Sequence, residues 1–396
     1  MNMIRVFNIA MAVALLIGGC TEKELIPISE SSGKPGVITQ VEVEPVAGGA
    51  MVTYQTPGNK DILGVKAVYT LTNGREMSTM VSFYDDKLLI EGYNDENVHE
   101  ATLFTVNRAQ ELSDPVTVTF TPLKSNLRLV SEALTIEPDF GGPRFNWENE
   151  NKAPVTIEMY APDSSGTLGL SKVIATTSPS MFHVIRGYDA DPIRVAALVR
   201  DRFGNVSDTI YPAGRLLTPL YETKIDKSKM KMHMLMSGGD VSYNFFDGAD
   251  SYMIDDDLDN FGHSNNGSMP GPLTVDMGQL VKMSRFTLHS RDIWGHAFSW
   301  GNVKEFEVYG RAELPSEDGN WDEWTLMLKS EVVKPSGLPG TDVTAEDIAY
   351  GLGFDFIIPI EQEPIRYFRF KVLSTWSETT FSHIAEFDFW GQVVNE

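Results

Sequence analysis

Apolar and polar positions alternate along most of the chain. The pattern is clear at 37–43 (Val-Ile-Thr-Gln-Val-Glu-Val), 50–54 (Ala-Met-Val-Thr-Tyr), 65–71 (Val-Lys-Ala-Val-Tyr-Thr-Leu) and 116–120 (Val-Thr-Val-Thr-Phe). A period of two places one set of side chains on a buried face and the other in water, so the spacing predicts half-buried strands. Gly, Pro, Asn and Asp bound these runs, as turns require. No long segment carries a helical period. Residues 344–350 predict one short helix, with Thr344 as its cap and Asp347 three residues later. The chain therefore reads as all-β.

The pattern repeats at a larger scale. Residues 103–114 (Leu-Phe-Thr-Val-Asn-Arg-Ala-Gln-Glu-Leu-Ser-Asp) parallel 197–208 (Ala-Leu-Val-Arg-Asp-Arg-Phe-Gly-Asn-Val-Ser-Asp). Each is a strand, a polar turn and a return strand that begins after Ser-Asp. The pattern resembles the last hairpin of fibronectin type III-like domains. It implies two tandem fibronectin type III-like or immunoglobulin-like sandwiches, at 35–123 and 124–217. Trp147 is expected in the core of the second. Neither unit shows an acid/base or metal constellation. Their expected role is to space and present a third domain at 218–396, and either has room to bind sugar as well.

The start of the chain has a different character. Arg5 precedes an apolar run at 11–17, followed by Gly18, Gly19 and Cys20, the single cysteine of 396 residues. A charged start, a short apolar core and small residues mark an export signal, and the run is too short to span a bilayer. The Ile17-Gly-Gly-Cys20 end resembles a bacterial lipobox, which implies a signal peptide at 1–19 and lipid on Cys20. The competing reading is an ordinary signal peptide with a spare cysteine. Residues 20–34 are polar and expected to be a flexible tether. The acidic residues after Cys20 resemble the surface-export signal of Bacteroidetes lipoproteins. With one cysteine there is no internal disulfide, so the domains must stand on their cores. The formal net charge of −23 opposes nucleic acid and anionic headgroups and suits neutral ligands.

Residues 218–396 carry six of the seven tryptophans. Several segments there, in order, resemble the discoidin-like, coagulation-factor type C family, whose fold is the galactose-binding-like jelly-roll sandwich. These are Phe246-Asp-Gly248, the strand ending in Asp276-Met-Gly278, Arg285 to Leu288 with Arg291, and 305–310 followed by Asp318-Gly-Asn-Trp321. They continue with Arg366-Tyr-Phe-Arg369 and the closing strand 384–391. The family's Thr-x-Trp after the Asp-Gly loop is missing, and 332–353 is an insert. The whole arrangement resembles Bacteroidetes surface lipoproteins of polysaccharide-utilisation loci. That resemblance implies an outer-membrane lipid anchor and starch-utilisation-type importer proteins as partners.

The segment 289–300 is the expected glycan site. Aromatic rings stack on the apolar face of a sugar, and His, Arg and Asp bond its hydroxyls. His289, Arg291, Trp294, His296 and Trp300 are the candidates, with Trp376 and His383 joining from the penultimate loop. The competing reading has Trp294 and Trp300 capping the core and Arg291 pairing with a carboxylate. Trp321 and Trp324 are expected to pack inward. Asp247, Asp250 and Glu386 are a candidate calcium site by resemblance, since hard oxygen ligands suit that ion. A structural turn without an ion is the alternative there. The acidic run 255–260 lacks EF-hand spacing and reads as solvated. There is no Gly-x-Ser-x-Gly, no His-Glu-x-x-His and no phosphate loop. The expected function is therefore non-catalytic capture of polysaccharide or oligosaccharide at the cell surface for an importer. The alternatives are a structural accessory that docks on that importer, and an unrecognised glycoside hydrolase.

Overall fold

The computed structural model describes residues 33–58, 61–246, 248–292 and 297–394. Cys20 and the leader lie outside the described residues. The chain forms an all-β, multi-domain sandwich protein built on three main apolar cores.

In the first unit, one sheet orders Thr39–Val46, Gly49–Gln55 and Lys87–Glu91. The facing sheet orders Glu76–Ser82, Ile62–Thr70, His99–Asn107 and Val116–Phe120. Alternation works as the sequence predicts: Ala50, Val52 and Tyr54 are buried and meet Val65, Ala67, Leu88 and Leu103. The second unit packs the sheet Ser180–Val184, Gly142–Glu148, Thr135–Asp139 against Leu168–Thr176, Val155–Pro162, Ala196–Asp201. Trp147 is buried in its core, as expected.

The repeat is reproduced at the level of single hydrogen bonds. The Ser113 hydroxyl accepts from the Thr105 N–H at 3.0 Å and donates to the Asp114 carbonyl at 2.8 Å. The Ser207 hydroxyl accepts from the Val199 N–H at 3.0 Å and donates to the Asp208 carbonyl at 2.8 Å. In both hairpins the serine satisfies a strand donor where the ladder is interrupted.

One helix was not legible in the alternation: Asn126–Ala133, between the first two units. Ser125 caps it by accepting from the Arg128 N–H, and Leu127 and Val130 face the second core. Cap and i, i+3 spacing were both present, but eight residues give a weak period.

The third unit is organised by one 19-residue strand, Gly271–His289. Its first half pairs with Ile365–Thr375 and its second with Glu386–Val393, with the register broken between Asp276 and Val281. Gly278 sits at that break with φ +68°, and a Cβ there would strike the Lys229 carbonyl oxygen. Asp276 accepts from Arg366 at 2.8 and 3.1 Å, so two of the sequence motifs meet across the sheet. Arg369 is fully buried and pairs with Asp240 at 2.8 Å. It also donates to the Gly319 carbonyl at 2.8 Å and lies 4.0 Å from the Trp321 ring centroid. Trp321 and Trp324 thus pack inward around a buried guanidinium.

The expected short helix spans Ala345–Tyr350 with a complete capping box from Thr344 and Asp347. Burial pushes the Asp347 carboxyl up. The Ser336 and Thr344 donors outweigh that and hold it at about 2. A lowered carboxyl contributes stability above its unfolded value, near 4, and loses it as pH falls towards 2. Melting curves of Asp347→Asn should therefore show a loss at pH 7 that shrinks by about pH 2.5. Gly278→Ala is expected to cost about 2 kcal/mol or more, read by urea denaturation, because it combines a left-handed backbone with a steric clash.

Candidate functional site

The strand Gly271–His289 delivers the loop 290–292 to one end of the third unit. Asn302 clamps the loop's backbone, accepting from the Arg291 N–H and donating to the Arg291 carbonyl, both at 3.0 Å. The Arg291 guanidinium then lies over two rings, 4.1 Å from the Phe261 centroid and 5.2 Å from that of Trp300. Arg291 is therefore stacked on aromatics, and among the described residues no carboxylate ion pair to it is seen. Trp300 adopts a left-handed backbone (φ 54°), and its backbone N–H donates to the Ser377 hydroxyl at 2.7 Å.

Beside this stack opens a recess of about 500 Å³, walled by Phe245, Phe246, Tyr252, Asn260, Phe261, His263 and Arg291. A second depression of about 260 Å³ lies against Phe261 and Arg291 and reaches His289, Asp292 and Leu352. Phe246 is 77% exposed, an unusual position for a phenylalanine. Its neighbour His263 stacks on Phe381 at 4.9 Å and approaches His383 at 4.4 Å. Burial first, then His263 and Arg291, push the His383 ring down to about 3, so it is neutral at ordinary pH. Burial also lowers His263. The permanent cation on this wall is Arg291. Its Nε and the Asn260 Oδ1 are buried without a hydrogen-bond partner among the described residues. An exposed ring, a guanidinium donor and an amide oxygen acceptor are groups a sugar needs.

The expected site residues fall into distinct groups. Arg291 lines the recess and Trp300 stacks with it. Trp294 and His296 lie outside the described residues. The Trp376 ring packs edge-on to Phe298 at 5.2 Å, with the Lys334 ammonium 5.3 Å from its centroid, and its indole nitrogen is buried. The rest of the side chain is half-buried against the core of the third unit. His289 borders the second depression. Its Nδ1 meets the Leu352 carbonyl at 2.7 Å and its Nε2 meets Asp388 at 3.2 Å. Burial lowers its basicity, but those two acceptors prevail and raise it, so the ring is committed to the fold. Phe246 was visible in the sequence only as part of a motif, and nothing there marked Tyr252, Asn260, Phe261 and His263 as ligands. The one local signal was an aromatic between an Asn and a Gly after an acidic run.

Of the calcium candidates, Glu386 is engaged by a cation of the protein itself. That carboxylate holds the Lys227 ammonium at 2.8 Å, and the same ammonium meets Asp388 at 2.7 Å and Asp256 at 2.9 Å. A positive charge already occupies the place where these carboxylates converge. Asp250 accepts from the Tyr243 N–H at 2.5 Å and from the Ser242 hydroxyl at 3.1 Å, so it braces the turn. Asp247 lies outside the described residues. Among the described residues no three His, Cys, Asp or Glu side chains gather as a metal site.

The Lys227 node also shapes the recess. Glu386 Oε2 accepts from the Asp256 N–H at 3.0 Å, fixing the start of the acidic loop that ends in Asn260 and Phe261. Burial pushes the Glu386 carboxyl up to about 7, against the pull of Lys227. Burial also opposes ionisation of Asp388, yet His289, Lys224 and Lys227 hold it far below the usual carboxylate range. Lys227→Met should leave buried charge uncompensated and cost about 3–5 kcal/mol in chemical denaturation.

Comparison with known proteins places these features. Three family profiles, each described as a domain of unknown function, match in order: DUF4959 at 35–122, DUF5126 at 123–228 and DUF5000 at 251–391. No curated protein matches the chain. Among solved structures, a SusE-like protein is 30% identical, with 67% of this chain and 98% of that chain covered and a TM-score of 0.45. The C-terminal domain of a chitobiase from Bacteroides fragilis is 18% identical over 44% of this chain and 100% of that one, with a TM-score of 0.31. CBM32-1 from a family 31 glycoside hydrolase of Clostridium perfringens is 18% identical over 41% and 93%, with a TM-score of 0.27. At 30% identity over nearly the full length of the SusE-like protein, this chain belongs to the SusE-like family.

Proposed function

We propose that the protein is a non-catalytic, lipid-anchored glycan-binding protein of the outer-membrane surface. It captures polysaccharide or oligosaccharide for a starch-utilisation-type importer. Cys20 is the proposed lipid attachment point. The two leading units are read as fibronectin type III-like or immunoglobulin-like spacers, and the third as a galactose-binding-like jelly roll that carries the ligand. The observation that carries this reading is the open aromatic recess with Phe246 projecting beside Arg291 and Asn260.

The chemistry rests on the geometry. Phe246 and Tyr252 offer ring faces to the C–H side of a sugar, while Arg291 and Asn260 supply a donor and an acceptor for hydroxyls. The acidic loop 255–260 beside the recess disfavours anionic glycans. A single shallow site of this kind binds weakly, and many copies on one surface raise retention through avidity. Trp294 and His296 are proposed as further glycan-binding residues. A role for calcium is proposed only at the turn of Asp247 and Asp250.

Affinity electrophoresis of the chain from Thr21 onward, in gels cast with neutral plant and host polysaccharides, tests this reading. Retardation by at least one glycan is expected. Phe246→Ala and Arg291→Ala should each weaken it about tenfold, the equivalent of roughly 1.4 kcal/mol. Their melting temperatures should stay near that of the wild type. A calcium-dependent change in retardation that Asp250→Asn removes would support a calcium role for Asp250. Wild-type mobility in every gel would favour the accessory that docks on the importer.

A further inference from the structure

We propose a second carbohydrate subsite in the cleft between the outer face of the second unit's sheet, around Phe182, Arg144 and Asn146, and the loop 360–361 of the third unit. The inference rests on the carbohydrate reading above and extends it to a site that the second unit helps to build. The cleft holds about 690 Å³, more than the recess beside Arg291. That volume falls within the range of small-ligand sites.

The floor is the three-strand sheet Thr135–Asp139, Gly142–Glu148, Ser180–Val184. In register, Phe182 lies opposite Asn146, and Asn146 lies opposite Thr135, so these side chains share one face. On an ordinary outer sheet face such residues would be independent and mobile. Here they form a lattice. The Arg144 guanidinium lies 3.9 Å from the Phe182 centroid and donates to Asn146 Oδ1 at 2.8 Å. Asn146 Nδ2 in turn donates to Thr135 Oγ1 and Glu137 Oε2, both at 3.3 Å. The Ser180 hydroxyl donates to Glu148 at 2.9 Å. Side chains already held by one another lose little entropy when a ligand binds.

The opposite wall is placed by a charged junction. Glu222 accepts from Arg186 of the second unit at 2.8 Å and from the Ser284 hydroxyl of the third at 2.5 Å. Gly141 donates its N–H to the Leu220 carbonyl at 2.9 Å. Ile360 and Glu361 therefore face the lattice across a defined gap and not across a free hinge.

The lining selects the ligand. Three carboxylates, Glu137, Glu148 and Glu361, face one guanidinium. Carboxylates accept from hydroxyl pairs, and their excess repels uronate or sulfate groups. The ring of Phe182 and the apolar Ile360 suit the C–H face of a sugar. The ligand class is thus a neutral oligosaccharide, and two such sites on one chain make it a bivalent binder.

The test uses gels cast with starch, xyloglucan, galactan or mannan, and with polygalacturonate as the anionic counterpart. Phe182→Ala removes the ring, and Ser180→Trp independently fills the cleft. Each is paired with the recess variant Phe246→Ala/Arg291→Ala, and melting curves verify folding. In the neutral gel that most retards the wild type, each cleft variant should lower retention about tenfold or more. The recess variant should keep residual retardation, and the combination should abolish it. Polygalacturonate should retard none of them. If the recess variant alone abolishes all retardation, the cleft proposal is overturned while the recess reading stands. Loss in the cleft variants with an unchanged recess variant would uphold the cleft and overturn the recess. A wild type retarded by no neutral glycan overturns both.

Discussion

A buried ammonium must find its counter-charges inside the protein, and in this chain Lys227 finds three. Its Nζ meets Glu386, Asp388 and Asp256 within 2.9 Å, while its side chain is only 4% exposed. The cost of taking these charges from water is offset only while all partners are in place. The node therefore couples elements that would otherwise move independently. It holds the segment entering the third unit, the closing strand and the acidic loop. Through Asp388 and His289 it also reaches the Leu352 carbonyl in the insert. The recess beside Arg291 inherits its shape from this coupling.

The same logic recurs at the other end of the third unit. Arg369 is fully buried against Asp240, two glycine carbonyls and a tryptophan face. The close approach of Gly238 and Gly319 leaves no room for a Cβ at either position. The Asp-Gly-x-Trp and Arg-Tyr-x-Arg motifs thus describe two sides of one packed guanidinium. Between the two charged hubs runs the strand Gly271–His289, bent at Gly278 so that one segment serves two sets of partners. Rigid hubs at both ends leave the connecting loops free to differ, and the loops hold the exposed rings.

Charge and shape act together in the binding surfaces. The chain is strongly acidic, yet each candidate sugar surface places one guanidinium on an aromatic ring: Arg291 on Phe261 and Arg144 on Phe182. Stacking preserves the guanidinium's edge donors while covering its faces. Such a group bonds hydroxyls without demanding an anionic ligand. An acidic surround disfavours anionic partners at both candidate surfaces.

Features decided by neighbours along the chain were legible before any fold was known. Alternation marked the strands of the first unit and the all-β class. The Ser-Asp repeat marked two hairpins whose serines make matching bonds, and Thr344 with Asp347 marked a real capping box. Trp147 was legible as core through the resemblance to such sandwiches, in which an early strand commonly carries a buried Trp. Packing between distant segments settled the rest. Lys227 and Glu386 are 159 residues apart, and no local pattern says that this ammonium will meet that carboxylate. The contacts of Trp376 with Phe298 and Lys334 likewise join segments far apart in the chain. Arg291 and Phe261 came together only when the sheet brought two loops to one end. Strand formation depends on the period within a segment, whereas a site depends on which segments meet, and that is settled by packing and by the pairing of buried charge.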